Sequence, residues 1–234
     1  MGMRLTQLSS FFCILLTGSP VLAEQVLPVQ ETNGFYATLG VGGSLPQALG
    51  FTDARLNEAL GTTVSLSLKY AGGFAGDVGV GYDFGQIRAE VTYANTIATI
   101  NTLVVGASGQ EATISASVRE FSNSAFLSAY WDIPTRSRWV PYVGGGLGYS
   151  NRATTNGLVD NRTVRGGNDG FVGYQAKIGM SYLAGPTTDI YAEGTYQGAA
   201  GYSVGPTTLG SYNSWGAKVG FRYRFGKPKT VASK

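Results

Sequence analysis

Seven charged residues stand out because each falls on the polar side of an alternating segment: Asp77, Arg88, Glu90, Lys177, Glu193, Lys218 and Arg222. Carboxylates and cations mixed this way can do acid–base work, hold ions or neutralise one another. The chain has no histidine, which removes imidazole as acid, base or metal ligand. No Ser/Lys pair or paired-carboxylate spacing marks a nucleophile either. The glycine runs Gly144-Gly145-Gly146 and Gly166-Gly167 lack the Gly-Lys-Ser/Thr and following helix of a phosphate loop. An enzyme is therefore not expected, nor is a cofactor or a metal. Mutual neutralisation is the remaining reading, with Arg88 set against Glu90 and Asp77, and Lys177 against Glu193.

The elements that must hold these charges alternate with period two, which is a strand signal. Residues 34–42 oppose Phe35, Ala37, Leu39 and Val41 to Tyr36, Thr38 and glycines. Residues 73–84 oppose Phe74, Val78, Val80, Tyr82 and Phe84 to Asp77, Gly79, Gly81 and Asp83. In 87–97, Ile87, Val91 and Tyr93 face away from Arg88, Glu90 and Thr92. Residues 117–132 have a mixed phase, with Phe126 and Tyr130 out of step with Phe121, Leu127 and Trp131, and a bulge would account for it. Further strands are read over 139–150, 171–183, 189–197 and 215–225. The last is the most regular, with Trp215, Ala217, Val219, Phe221, Tyr223 and Phe225 facing Lys218, Arg222, Arg224 and glycines.

Eight strands result, with short connections after the second, fourth and sixth and long ones after the others. That rhythm suits a membrane barrel with tight periplasmic turns and long outer loops. The expected outer loops are 44–67, 101–114, 151–169 and 198–213, where an extracellular partner would be met. A short helix is expected over 52–61, with Thr52 as N-cap and Gly61 as stop.

Composition argues the same way. Charged residues make up only 13% of the chain, against 35 glycines, 14 tyrosines and 11 phenylalanines. A soluble surface needs more charge, whereas a wall facing hydrocarbon needs none. A net charge of +3 with no basic stripe gives no reason to expect nucleic acid. Period two alone also fits a soluble ligand-binding barrel with its apolar side inward. The inverted arrangement is favoured by a glycine-rich polar face, by charges of both signs, by aromatics near strand ends and by an export leader. That leader is residues 1–23: Arg4, an apolar run over 11–16, and Val21-Leu22-Ala23 before the cut. Its Cys13 is the only cysteine, so no disulfide is expected in the mature chain.

The expected organisation is a signal peptide (1–23), an N-terminal linker (24–33), a barrel (34–225) and a short periplasmic tail (226–234). The fold class is all-β, an eight-stranded antiparallel up-and-down transmembrane β-barrel, monomeric and embedded in outer-membrane lipid. A narrow water-filled path lined by the seven charges is the alternative to a closed anchor. Eight strands normally leave a lumen filled by side chains.

Three segments carry a family resemblance: Pro141-Tyr142-Val143-Gly144-Gly145-Gly146-Leu147-Gly148-Tyr149, Gly173-Tyr174-Gln175-Ala176-Lys177-Ile178-Gly179, and the final strand from Trp215 to Phe225. The chain resembles the OmpA-like eight-stranded barrels of Gram-negative bacteria, in particular the surface-antigen branch of the outer-membrane β-barrel porin-like family. The resemblance implies a structural or surface-antigen role, and a C-terminal aromatic signal, here Tyr223 and Phe225, read by the barrel-insertion machinery. This chain departs from the pattern by running on from Gly226 to Lys234.

Overall fold

The structure, a computed structural model, describes residues 33–225. The expected leader, the linker up to residue 32 and the tail 226–234 lie outside the described residues. The elements in chain order are β1 (Gly34–Pro46), β2 (Leu49–Asp53), α1 (Ala54–Leu60), β3 (Val64–Tyr70), β4 (Gly73–Asp83), β5 (Ile87–Ala107), β6 (Gln110–Asp132) and β7 (Trp139–Thr154). They continue as β8 (Gly157–Val159), β9 (Arg162–Val164), β10 (Asn168–Leu183), β11 (Thr188–Ala199), β12 (Tyr202–Val204), β13 (Thr207–Leu209) and β14 (Tyr212–Arg224).

Eight long strands, β1, β4, β5, β6, β7, β10, β11 and β14, each pair antiparallel with the next. The first and last also pair, from Tyr36↔Arg224 to Pro46↔Ser214, so the ring closes. Closure gives every strand a neighbour on both sides, the condition for leaving no backbone N–H or C=O bare in hydrocarbon. Tight turns at Gly85 and over 184–187, and a six-residue link over 133–138, share one end of the ring with both ends of the barrel chain.

Side chains sort inside out. Phe35, Val80, Ile178 and Val219 point outward and are 69%, 63%, 67% and 57% exposed, while Lys177 and Arg222 are buried inside. A soluble barrel would show the reverse, so the soluble alternative is overturned. Along β14 the outward set runs from Trp215 to Phe225. Ten residues at about 3.3 Å each, tilted by about 40°, span roughly 25 Å, the height of an outer-membrane apolar band. Aromatics border that band below at Phe35, Tyr82, Phe84, Trp131, Trp139 and Tyr182, and above at Tyr149, Tyr196 and Trp215, several in edge-on or tilted pairs.

Beyond the upper aromatics the strands continue, and here several expectations are corrected. The 101–114 segment is not an open loop. It is the top of a β5–β6 hairpin closed by Ser108-Gly109, both at positive φ (51° and 79°), the conformation a two-residue hairpin turn requires. The first outer connection holds β2 and β3 as well as the helix, the third holds β8 and β9, and the fourth holds β12 and β13. The helix is capped by Asp53, which accepts from the backbone of Arg55 and Leu56 at 3.0 and 3.2 Å. Thr52 lies one residue too early to cap a helix that begins at Ala54, whereas Gly61 does stop the helix, in the left-handed conformation. The mixed phase of β6 is not a bulge within the barrel: Ile87↔Trp131 to Ile100↔Val118 pair without a break, and the irregularity lies higher, between Ile100 and Thr102. Phe126 and Tyr130 keep the inward phase and are buried in the lumen.

Candidate functional site

Among the described residues, charge is concentrated and shielded from water in the lumen, which is built in tiers. At the end with the tight turns, Arg88 Nε lies 3.0 and 2.9 Å from the two carboxylate oxygens of Asp132, with Nη2 2.9 Å from one of them. Arg222 meets Asp189 at 3.0 Å, Arg224 contacts the same carboxylate, and Arg224 Nε is 3.5 Å from Asp83. Three arginines thus face three aspartates. The Arg88 guanidinium also lies over the Tyr130 and Tyr142 rings, at 4.6 and 5.1 Å, and Arg222 lies over Tyr36 at 5.3 Å.

At the waist, Lys218 bonds Asp77 and lies 3.2 Å from Glu193, which Lys177 approaches at 3.3 Å. Tyr142 donates to the other Glu193 oxygen at 3.0 Å. Lys177 donates to the Tyr130 hydroxyl at 3.0 Å, which donates in turn to Glu90 at 3.0 Å, and Thr92 donates to the same Glu90 oxygen at 2.9 Å.

All seven expected lumen residues are therefore inside and buried, and the expected Lys177–Glu193 pair forms, while Arg88 and Asp77 have partners other than the expected ones. Arg88 forms no ion pair with Glu90 or Asp77. The residue directly across from Arg88 is Tyr130, and Asp132, the diagonal neighbour within reach of a long side chain, takes its guanidinium. Asp77 belongs to Lys218 instead. Four further charges join the seven inside: Asp83 and Arg224, on the polar side of their strands in the alternation, and Asp132 and Asp189. Each carries the inward parity of its strand, so the alternation already contained the signal, at strand ends.

Tyrosines complete the plug. Tyr36, Tyr130, Tyr142 and Tyr191 lie across glycines of adjacent strands: a Cβ added at Gly81, Gly144, Gly179 or Gly220 would fall 2.4 to 2.5 Å from the covering ring. The glycine-rich inner face is thus the space that the rings occupy. The gap left among Thr38, Asp77, Glu90, Lys177 and Arg222 is about the size of one water molecule. Among the described residues no His, Cys, Asp and Glu side chains converge in the manner of a metal site.

A separate tier closes the outer mouth, beyond the upper aromatics. Arg152 reaches the two Glu120 oxygens at 3.0 and 2.5 Å and the Tyr70 hydroxyl at 2.7 Å, and stacks over Tyr212 at 4.4 Å. Tyr70 comes from β3, so the first outer connection is tied into the mouth. Burial pushes its phenol well above the usual tyrosine range, which keeps it a donor to Glu120 at 3.1 Å. On the outer crown, the hydrogen bond from Thr207 and those from the helix backbone hold the Asp53 carboxyl below its ordinary range. That residue joins α1 to β13.

An apolar belt outside, a neutralised polar plug inside and complete backbone pairing define a transmembrane β-barrel. The chain belongs to the Opacity family of porins: the model described as "Opacity family porin protein" matches residues 80–225. Among solved structures it is similar to Neisserial surface protein A (21% identity over 83% of this chain and 100% of that one, TM-score 0.50). It is also similar to OprG from Pseudomonas aeruginosa (14%, 85% and 98%, 0.49) and to the outer membrane protease OmpT from Escherichia coli (8%, 82% and 97%, 0.48). No curated protein matches the chain. The protein is an eight-stranded β-barrel of the cell outer membrane.

Proposed function

We propose that the protein is a non-enzymatic, non-conducting barrel that anchors a rigid β-structured crown at the cell surface, in a surface-antigen or interaction role. The observation that carries this reading is the lumen: Lys177, Lys218 and Arg222 are committed to Glu193, Asp77 and Asp189, with four tyrosines across the axis. Side chains locked to one another are poor ion ligands. In the same reading the lumen network of Asp77, Arg88, Glu90, Lys177, Glu193, Lys218 and Arg222 serves stability, and Tyr223 and Phe225 present the outward aromatics that the insertion machinery reads. Both are exposed on the final strand and edge-on to each other at 5.2 Å.

The test is reconstitution in planar bilayers. A closed anchor leaves the current at baseline. Steady unitary openings would overturn it in favour of a narrow ion channel, a reading that the water-sized gap at the waist keeps in play.

A further inference from the structure

Above the membrane band the sheet opens, and one of its edges is bare. β6 pairs with β5 up to the turn, from Thr102↔Ser115 to Ala107↔Gln110. A two-residue turn closes on a hydrogen-bonded pair, here Ala107↔Gln110, and bonded and non-bonded pairs then alternate down the ladder. Glu111, Thr113 and Ser115 fall on the non-bonded positions, so their backbone N–H and C=O groups point away from β5. Ser115 fixes that phase independently, because its carbonyl accepts from the Asp160 N–H at 3.1 Å. β8 covers β6 only at Ala116 and Ser117, and the chain then turns back at Asp160-Asn161, both at positive φ (50° and 59°). Among the described residues no strand pairs with Glu111 or Thr113 on this side.

A groove of about 530 Å³ follows the edge where β8 stops, lined by Thr113, Ser115, Ser117, Leu158, Asp160 and Asn161. It continues the track of β8, so a chain laid in it would sit beside the upper part of β6. Two exposed carboxylates bracket the edge, Glu111 above and Asp160 below, and neither has a cation within ion-pair distance among the described residues. Along the strand, Glu111 and Ser115 are about 13 Å apart. Opposite Glu111 stands Gly106, which offers it no cross-strand side chain. Backbone donors and acceptors unpaired in strand register are matched by another backbone, and free carboxylates by cations on it.

We propose that the bare edge of β6 at residues 111–113 binds an extended, basic polypeptide segment by strand addition. The backbones of Glu111 and Thr113 supply the main-chain bonds, and the Glu111 and Asp160 carboxylates take its lysines or arginines. The proposal deepens the surface-interaction reading and rests on the crown facing the cell exterior. A second copy in the same membrane is the poorer fit: rotation about the membrane normal sets the two β6 edges parallel, the weaker pairing, and brings Glu111 against Glu111.

The full chain, refolded in detergent, would be titrated with a short peptide that alternates lysine with valine and threonine, with its glutamate-for-lysine version, and with the lysine peptide N-methylated along its backbone. Amide NMR reads both affinity and place. The lysine peptide should slow hydrogen exchange at the Glu111 and Thr113 amides and leave Ala112 and Ile114, which already bond β5, unchanged. N-methylation should weaken binding at least about tenfold, the scale of one lost hydrogen bond. The glutamate version should also bind more weakly, and E111Q/D160N should remove that preference. T113P deletes an N–H that the ladder to β5 does not use, as edge strands tolerate, and should lower affinity as N-methylation does. T113V, which keeps the N–H, should bind like wild type. No binding of the lysine peptide at millimolar concentration, equal binding of the N-methylated peptide, equal binding by T113P, a preference unchanged in E111Q/D160N, or protection confined to other strands would each overturn the proposal. If T113P does not fold, the N-methylated peptide on wild type decides. Bilayer conductance tests the closed anchor separately, so either reading can fail without the other.

Discussion

Arg88 and Asp132 meet in a two-point ion pair inside the barrel, Nε and Nη2 of the one against the carboxylate of the other at 2.9 to 3.0 Å. The pair is almost fully shielded from solvent, and it joins β5 to the end of β6. A carboxylate stripped of its arginine there would be a charge without hydration.

Arg88→Met is therefore expected to destabilise the folded barrel by about 3–5 kcal/mol, the cost of breaking one side of a buried pair. Arg88→Met/Asp132→Leu should recover most of that loss, because the uncompensated charge goes with it. Denaturant unfolding of the detergent-refolded barrel, followed by tryptophan fluorescence, measures both. A double variant as unstable as the single would show that Asp132 is not the partner that matters.

Gly179 lies beneath the Tyr142 ring, where a Cβ would fall 2.4 Å from it. Gly179→Ala should cost about 1–3 kcal/mol by overpacking, since the ring is also held by its bond to Glu193. Gly167→Ala, which meets nothing within 4 Å, should change stability by less than about 0.5 kcal/mol. The same unfolding assay separates the two.

The lowered carboxyl of Asp53 sets a pH window for the crown. A depressed acid stabilises the folded form above its unfolded pKa of about 4, and that contribution disappears as pH falls through the lower folded value. Amide protection over residues 54–60, corrected for intrinsic exchange rate, should hold from pH 7 to 5 and decline below 4. Asp53→Asn, which caps but does not titrate, should abolish the decline.

Phe225 sits on the outward face, edge-on to Tyr223. Phe225→Ser should reduce the folded, heat-modifiable fraction in outer membranes severalfold while leaving refolding in detergent within about 0.5 kcal/mol of wild type, as for other exposed positions. An equal loss in both settings would assign Phe225 to stability rather than to assembly.

Much of this architecture was legible in the residue order. Strand β14 and the lower part of β5 alternate so strictly that their faces follow from parity alone, and the inside-out sorting follows from where glycines and charges fall. Phe126 and Tyr130 were harder, because an aromatic ring serves either a lipid wall or a lumen plug, and what separates the two is the unbroken register that sets them opposite Thr92 and Arg88 on the inner face. Ion-pair partners were not legible for a geometric reason: which carboxylate meets Arg88 depends on the stagger of neighbouring strands, which parity does not encode. The crown was missed because no apolar band marks it. Val64–Tyr70 does alternate, but over seven residues behind a short helix it reads as part of a loop.

The hairpin that tops β5 and β6 has a further consequence. Its farthest point is a two-residue turn on long paired strands, so the tip of the hairpin has almost no slack backbone. A protease needs several residues of loose chain to thread its cleft, and would find none there. A short foreign peptide spliced between Ser108 and Gly109 would instead be carried on a stiff mast, away from the bacterial surface.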